Sequence, residues 1–349
     1  MNVKHHTLKR PAVRITLLIS GVMLTLVLLL INLMVGSVDI SLPQLLNNLT
    51  GLEPADTTIV AILFKFRLPQ AITALVAGAG LSVAGLMMQS LFRNPLADPS
   101  ILGISSGASL GVALLILGAG AGSGTAFLTS GILGDLTVTI AALAGAILVM
   151  MVIIVFARTI QSHSNLLILG IMVGYITFSA VGILKYYSPR EALQRFVIWG
   201  LGSFGEVSQS RLGLFVLLTT IGLAASFLLS KTLNLMLLGE HYAQNLGLNI
   251  RRARLFIILI SGFLTAVITA YCGPVAFLGL AVPHLTRNLF QTSSHQLLLP
   301  ASALLGGILA LLCNLAARLP VFNGTLPISA VTALIGAPVV IWLIFKGNK

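Results

Sequence analysis

RLGLFVLLTTIGLAASFLLSKTLNLMLLGEHYAQNLGLNIRRARLFIILISGFLTAVITAYC, residues 211–272, holds two apolar runs, near 211–230 and 254–272, on either side of a polar interval. Each run approaches the roughly 20 residues that an α-helix needs to cross a bilayer core. The interval carries Glu240, Gln244, Asn245 and the arginines Arg251, Arg252 and Arg254, groups that are costly to leave in lipid. The chain therefore leaves the membrane here and re-enters it. Inside the interval, Leu235, Leu238, Tyr242 and Leu246 share one helical face while Glu240, Gln244 and Asn245 look elsewhere. Gly239 and Gly247 permit turns at either end. A helix lying on the membrane surface favours a lysine-rich polar face. An acid and amides fit a protein cleft better.

The same pattern extends outward in both directions. Of the 349 residues 57% are hydrophobic and 8% charged, and the mean hydropathy is +1.04. A soluble domain with that composition would expose aggregating apolar patches. Apolar runs bounded by charge, proline or glycine lie near 15–36, 68–90, 100–118, 137–157, 165–186, 211–230, 254–272, 274–290, 297–317 and 327–345. An all-α polytopic membrane protein of about ten spans follows, with both termini on one side. The first run is longer than the core of a signal peptide and is read as a retained span.

Basic residues orient the chain. With the N-terminus inside, the inner segments hold Lys4, Lys9, Arg10, Arg14, Arg93, Arg158, Lys231, Arg251, Arg252, Arg254, Arg287, Lys346 and Lys349, thirteen of the 20 lysines and arginines. Most acids fall outside, so the +12 charge belongs to the cytoplasmic face. No basic groove interleaved with aromatics accompanies it, which excludes a nucleic-acid partner. The 34 glycines, including Gly78, Gly80, Gly85, Gly103, Gly107 and Gly111, are read as close helix contacts. Cys272 and Cys313 lie in apolar runs and are read as core residues.

Several chemistries lack their residues. There is no phosphate-binding GxxxxGK[ST], HExxH, GxSxG or CxxC, so no nucleotide, metal or cofactor site is expected within this chain, and no enzyme activity. An ion-driven secondary transporter acting without an ATPase is the alternative reading. It needs a carboxylate near the bilayer midplane, whereas Asp98 lies in a proline-flanked turn and Asp135 and Glu240 at segment ends. His284, behind Pro283, is read as a partner for carbonyls freed by the proline kink.

Four separated stretches carry a resemblance: GLSVAGLMMQSLFRNPLADPSILGISSGASLG (80–111), LNLMLLGEHYAQNLGLN (233–249), GPVAFLGLAVPHLTR (273–287) and LPISAVTALIGAPVVIWLI (326–344). Together they resemble the permease subunits of bacterial ATP-binding cassette (ABC) importers for iron-siderophores, haem and vitamin B12. The resemblance implies a single permease domain over 1–349 in the bacterial inner membrane, surrounded by lipid and paired with a second copy of itself. It also implies two ATP-binding subunits on the cytoplasmic face and a periplasmic substrate-binding protein. Residues 233–250 then form coupling helices, with Leu238, Gly239, Glu240, Gln244, Leu246 and Gly247 engaging the ATPase. An outer docking site for the binding protein falls on Arg67, Arg318, Lys65 and Gln70. The family's RLPR motif reads Arg67-Leu68-Pro69-Gln70 here, and Lys65 stands where it could supply the missing charge. Acids common near the last span and in the ninth are Thr325 and Asn314.

Single cysteines report the topology directly. In a Cys272→Ala, Cys313→Ala background, Ser188→Cys is expected to react with an impermeant thiol reagent added outside, and Ser294→Cys is not. Labelling at Ser294→Cys would invert or break this map.

Overall fold

The computed structural model describes residues 11–36, 38, 40–50, 57–118, 132–160, 162–319 and 325–347, and contains no strand among them. The helices are α1 (Pro11–Met34), α2 (Leu42–Thr50), α3 (Thr57–Ala61), α4 (Leu68–Phe92), α5 (Ile104–Ile116), α6 (Ile132–Ala157), α7 (His163–Tyr187), α8 (Arg190–Gly200), α9 (Gln209–Leu228), α10 (Ser230–Leu237), α11 (Glu240–Asn245), α12 (Ile250–Cys272), α13 (Leu278–Phe290), α14 (His295–Ala317) and α15 (Ile328–Gly347). Seven helices among the described residues are long and apolar enough to cross a membrane. The third and eighth expected runs hold shorter helices of 13 residues, α5 and α13. Gly103, at φ 76°, ends a short 3₁₀ turn (Pro99–Leu102) and delays α5 to Ile104. The expected run at 254–272 begins earlier, at Ile250, because Asn249 Oδ1 accepts from the Arg252 amide and caps the helix there.

Burial divides the helices into two kinds. In the most apolar window of the 57–92 helix, 83% of residues are buried, against 17% in α1. Yet α1 is the more hydrophobic of the two. Helix α4 is central, with α14, α12, α13 and α9 packed around it, and glycine, alanine and serine recur along its buried length. Helices α1, α6, α7 and α9 instead present large apolar side chains such as Ile19, Met151, Phe178 and Leu217 to the surroundings. In a bilayer that outward apolar face needs no cover.

Backbone approach explains the glycines. A Cβ on Gly78 would lie 2.2 Å from the Gly306 oxygen, and one on Gly85 would lie 1.8 Å from the Gly279 oxygen. Those contacts join α4 to α14 and to α13. A second set joins α5 to α6, where an added Cβ would lie 2.0 Å from Ala141 O at Gly111 and 2.6 Å from Gly145 O at Gly107. Small residues let helices in lipid meet backbone to backbone, where dispersion is strongest. Both cysteines are buried and free, as expected of packing residues. His284 does find a carbonyl, but that of Pro95 at 2.8 Å, so it ties α13 to the 94–99 turn rather than repairing the kink at Pro283.

A methyl group at the tightest of these contacts tests the packing. Gly85→Ala forces α4 and α13 apart and is expected to cost about 3 kcal/mol or more, at or beyond the usual overpacking range. Gly182→Ala, where the added methyl meets nothing within 4 Å, is expected to be neutral. Thermal unfolding of the purified permease in one detergent separates the two.

Candidate functional site

Two regions at opposite ends of the helices carry the candidate residues. The first is the elbow between α9 and α12. Gly239, at φ 117°, breaks it into α10 and α11. After α11, Gly247 at φ 86° closes a Schellman turn: Leu248 N donates to Ala243 O at 3.0 Å and Gly247 N to Gln244 O at 2.9 Å. Asn249 then caps α12, so two residues separate the end of one turn from the next helix.

Three tethers hold the elbow to the membrane helices. Arg93, the left-handed cap of α4, donates from Nη2 to Met236 O at 2.7 Å, at the end of α10. Asn234 Oδ1 lies 2.9 Å from His295 Nδ1 and accepts from its backbone amide at 2.8 Å, while His295 Nε2 lies 2.6 Å from Ser90 Oγ. A neutral imidazole satisfies both contacts, with Nδ1–H donating to Asn234 and Nε2 accepting from Ser90; this tautomer is assigned from the network. His295 is fully buried, so α10 is clamped to α4 and α14 at once. Lastly, Arg254 in α12 pairs with Glu240 at 3.1 Å and donates to Ile160 O at 2.8 Å. Glu240, expected on the segment's polar side, therefore faces the protein and fixes α11.

What the tethers leave outside is apolar. Leu237, Leu238, Tyr242 and Leu246 are exposed by 42%, 61%, 56% and 54%, on an end of the molecule that also exposes Gln244 and Asn245. Leu235, placed on this face from its spacing, is only partly exposed. Fully burying such a side chain contributes about 1.5–3 kcal/mol. Four of them make a patch that a partner could cover with gain.

The second region is the rim at the far end. Before α4 the chain makes a π turn, Ile62–Arg67, continuous with helices on both sides. Pro69 explains it: a proline ring crowds the preceding turn and has no N–H to give, and a widened turn relieves both. The π turn carries Arg67 inward. Its guanidinium donates from Nη1 to Leu33 O at 2.7 Å and Met34 O at 2.8 Å, and from Nη2 to Val38 O. Arg318 donates to Asn32 O at 3.2 Å and Val35 O at 2.9 Å. Both wrap the end of α1 around Gly36, whose added Cβ would meet Arg318 Nη2 at 2.7 Å and Arg67 Nη2 at 2.9 Å. Burial, then the neighbouring Arg67 charge, holds the Arg318 guanidinium below its usual range. Arg67, expected at the docking site, is 3% exposed and donates to carbonyls of the same chain. Lys65 is exposed.

Gln70 is likewise turned into the protein. Its Nε2 donates to Asn314 Oδ1 at 3.0 Å, and Asn314 Nδ2 donates to Asn32 Oδ1 at 2.8 Å, an amide chain across α4, α14 and α1. Two positions that depart from the resemblance are thus each other's partners. The third, Thr325, lines the same hollow of about 160 Å³ as Gln70, Asn314, Arg318 and Glu206. Neither contact was readable from the sequence, because the partners are 244 and 282 residues apart.

The described residues contain no group of three or more His, Cys, Asp or Glu placed to hold a metal. Of the described carboxylates, Glu240 pairs with Arg254 and Asp98 caps the 3₁₀ turn by accepting from Ser100 N at 2.8 Å. Burial raises the Asp98 carboxyl, and the Ser100 hydrogen bonds oppose that rise.

Residues 24–346 match the FecCD transport family. The vitamin B12 import system permease protein BtuC of Salmonella paratyphi A is 37% identical over 287 residues, 82% of this chain and 84% of that protein. The BtuC protein of Citrobacter koseri is also 37% identical, over 82% of this chain and 83% of its own. Among solved structures, an inward-facing metal-chelate type ABC transporter superimposes with a TM-score of 0.82 at 29% identity, covering 95% of this chain and 99% of the other.

Arg67→Ala removes donors from three carbonyls, and hydrogen bonds from a charged group are worth about 1.5–3 kcal/mol each. The variant is expected to lose roughly 3 kcal/mol or more of stability. Because these contacts are buried, the loss should be the same at low and high salt. A loss that salt abolishes would place Arg67 at the surface.

Proposed function

We infer what this chain moves, and how, from one premise: it belongs to the FecCD transport family and is a permease subunit of an ABC importer. We propose that its cargo is a metal chelate of the cobalamin, haem or iron-siderophore class, and that two copies enclose the pathway. The relatives, a vitamin B12 import permease and a metal-chelate type ABC transporter, support that cargo class. Energy comes from the ATP-binding partner that an ABC permease requires, and cargo from a substrate-binding protein.

The exposed patch of Leu237, Leu238, Tyr242 and Leu246 carries the coupling reading. It is apolar, it is held by tethers to α4, α12 and α14, and it lies on an end whose other exposed groups are polar. In this reading the ATPase seats a cleft on the patch. ATP-driven closure of the ATPase pair then moves the elbow, and the permease shifts between outward-open and inward-open populations by differential contact. Gly239 and Gly247 give α11 its orientation. Glu240 fixes it from behind through Arg254, and Gln244 lies beside the apolar contacts. At the opposite rim, the docking contact falls to Lys65, while Arg67, Arg318 and Gln70 hold the rim in shape. The seven basic residues assigned to that side are too few to change the orientation, which keeps both termini cytoplasmic.

Leu238→Asp combined with Leu246→Asp leaves every tether intact and makes the patch polar. ATPase subunits co-purifying with the permease are expected to fall roughly tenfold or more, the loss of one to two buried side chains. Uptake should vanish at normal membrane levels of the permease. Wild-type recovery of the ATPase would remove the coupling assignment, and ATP-independent uptake by the permease alone in vesicles would favour the secondary-transporter reading.

A further inference from the structure

Arg158, just past the end of α6, faces Arg251 and Arg252 in the first turn of α12 across a groove of about 300 Å³. Ile154, Ala157 and Leu255 form its apolar walls. That volume reaches the range of small-ligand sites. All three guanidiniums are exposed, and among the described residues none has a hydrogen-bonding or ionic side-chain partner. The acid nearest in the chain, Glu240, is already engaged by Arg254. No acid stands in the first turn of α12, so Arg251 and Arg252 sit at the positive end of its dipole with no carboxylate beside them.

We propose that this groove holds the phosphate headgroup of an anionic phospholipid. Guanidinium is the side chain suited to phosphate, because its planar fork donates in pairs. Basic pockets between membrane helices at the interface are where such headgroups bind. The walls decide between occupants. A soluble anion needs only the arginines, whereas here the groove is half apolar, and the exposed Val155, Phe156 and Phe256 of the same two helices offer surface for acyl chains. An acidic face of a partner protein would meet the arginines but would have no use for apolar walls open to the bilayer.

Position gives the site a consequence. Arg254, three residues beyond Arg251, joins Glu240 of the elbow to Ile160 of the loop after α6. A headgroup bridging Arg158 to Arg251 and Arg252 spans the same two segments and braces the joint on which the elbow rests. Coupling in a bilayer rich in anionic lipid is then tighter than in a zwitterionic one.

The test uses the permease with its ATPase subunits in nanodiscs of mixed phosphatidylcholine and phosphatidylglycerol, with retained lipid identified by native mass spectrometry. Wild type is expected to keep phosphatidylglycerol roughly tenfold or more over its share, from three basic contacts near the surface. The triple variant Arg158→Gln, Arg251→Gln, Arg252→Gln should lose that preference, and the corresponding triple lysine variant should keep most of it. Should the glutamine variant not fold, Arg251→Gln alone, at an exposed position, gives a graded loss. Unchanged phosphatidylglycerol retention in a folded glutamine variant overturns the proposal. Displacement of the lipid by inorganic phosphate as readily as by short-chain phosphatidylglycerol overturns it in favour of a soluble anion. Loss of the ATPase subunits with lipid retention unchanged overturns it in favour of a protein contact.

Discussion

A carbonyl at the end of a membrane helix has no following turn to bond and little water to reach, and the structure answers this repeatedly with an arginine from elsewhere in the chain. Arg67 and Arg318 serve the end of α1, Arg93 the end of α10, Arg254 the segment after α6 and Arg14 the Gln291 carbonyl after α13. Each bond satisfies an acceptor that would otherwise be orphaned, places a cation at the negative end of a helix dipole and fixes one helix to another. Where the helices stop, and so how they are arranged, depends on these contacts.

That use of arginine limits what could be read from the sequence. Counting basic residues treats each as a surface charge, and for Arg158, Arg251 and Arg252 the treatment holds. It misses Arg67, which is buried and donates to the carbonyls at the end of α1. Composition and run length were enough to locate the helices, because the cost of a polar group in lipid acts locally along the chain. Element ends were less legible. The π turn at Ile62–Arg67 follows from Pro69, but its effect is to rotate Arg67 toward α1, a helix whose position relative to it only the fold supplies.

The same limit applies to the polar chain at the rim. Gln70 and Asn314 each stood out singly as departures from the resemblance, and the fold joins them by a hydrogen bond. Buried amides exchanging hydrogen bonds avoid the desolvation that a buried ion pair must overcome. The elbow was legible in part. Its apolar face is visible in the spacing of Leu238, Tyr242 and Leu246, while the tethers come from Arg93, His295 and Arg254, which belong to three other helices.

Those tethers determine how a load on the elbow is distributed. A displacement of α10 acts through Arg93 and Ser90 on α4, through His295 on α14 and, by way of Glu240, on α12. Helices α4, α13 and α14 meet at glycine carbonyls with no side chain between them to change rotamer, so they have little freedom to slide separately. Helices α5 and α6 share the same kind of contact and form a second stiff unit. Helix α12 packs against both α4 and α6, and its N-terminus is the point that Arg254 ties to the elbow. Along α12 the contacts between the two units are made by larger buried side chains such as Ile257, Ile258 and Leu264.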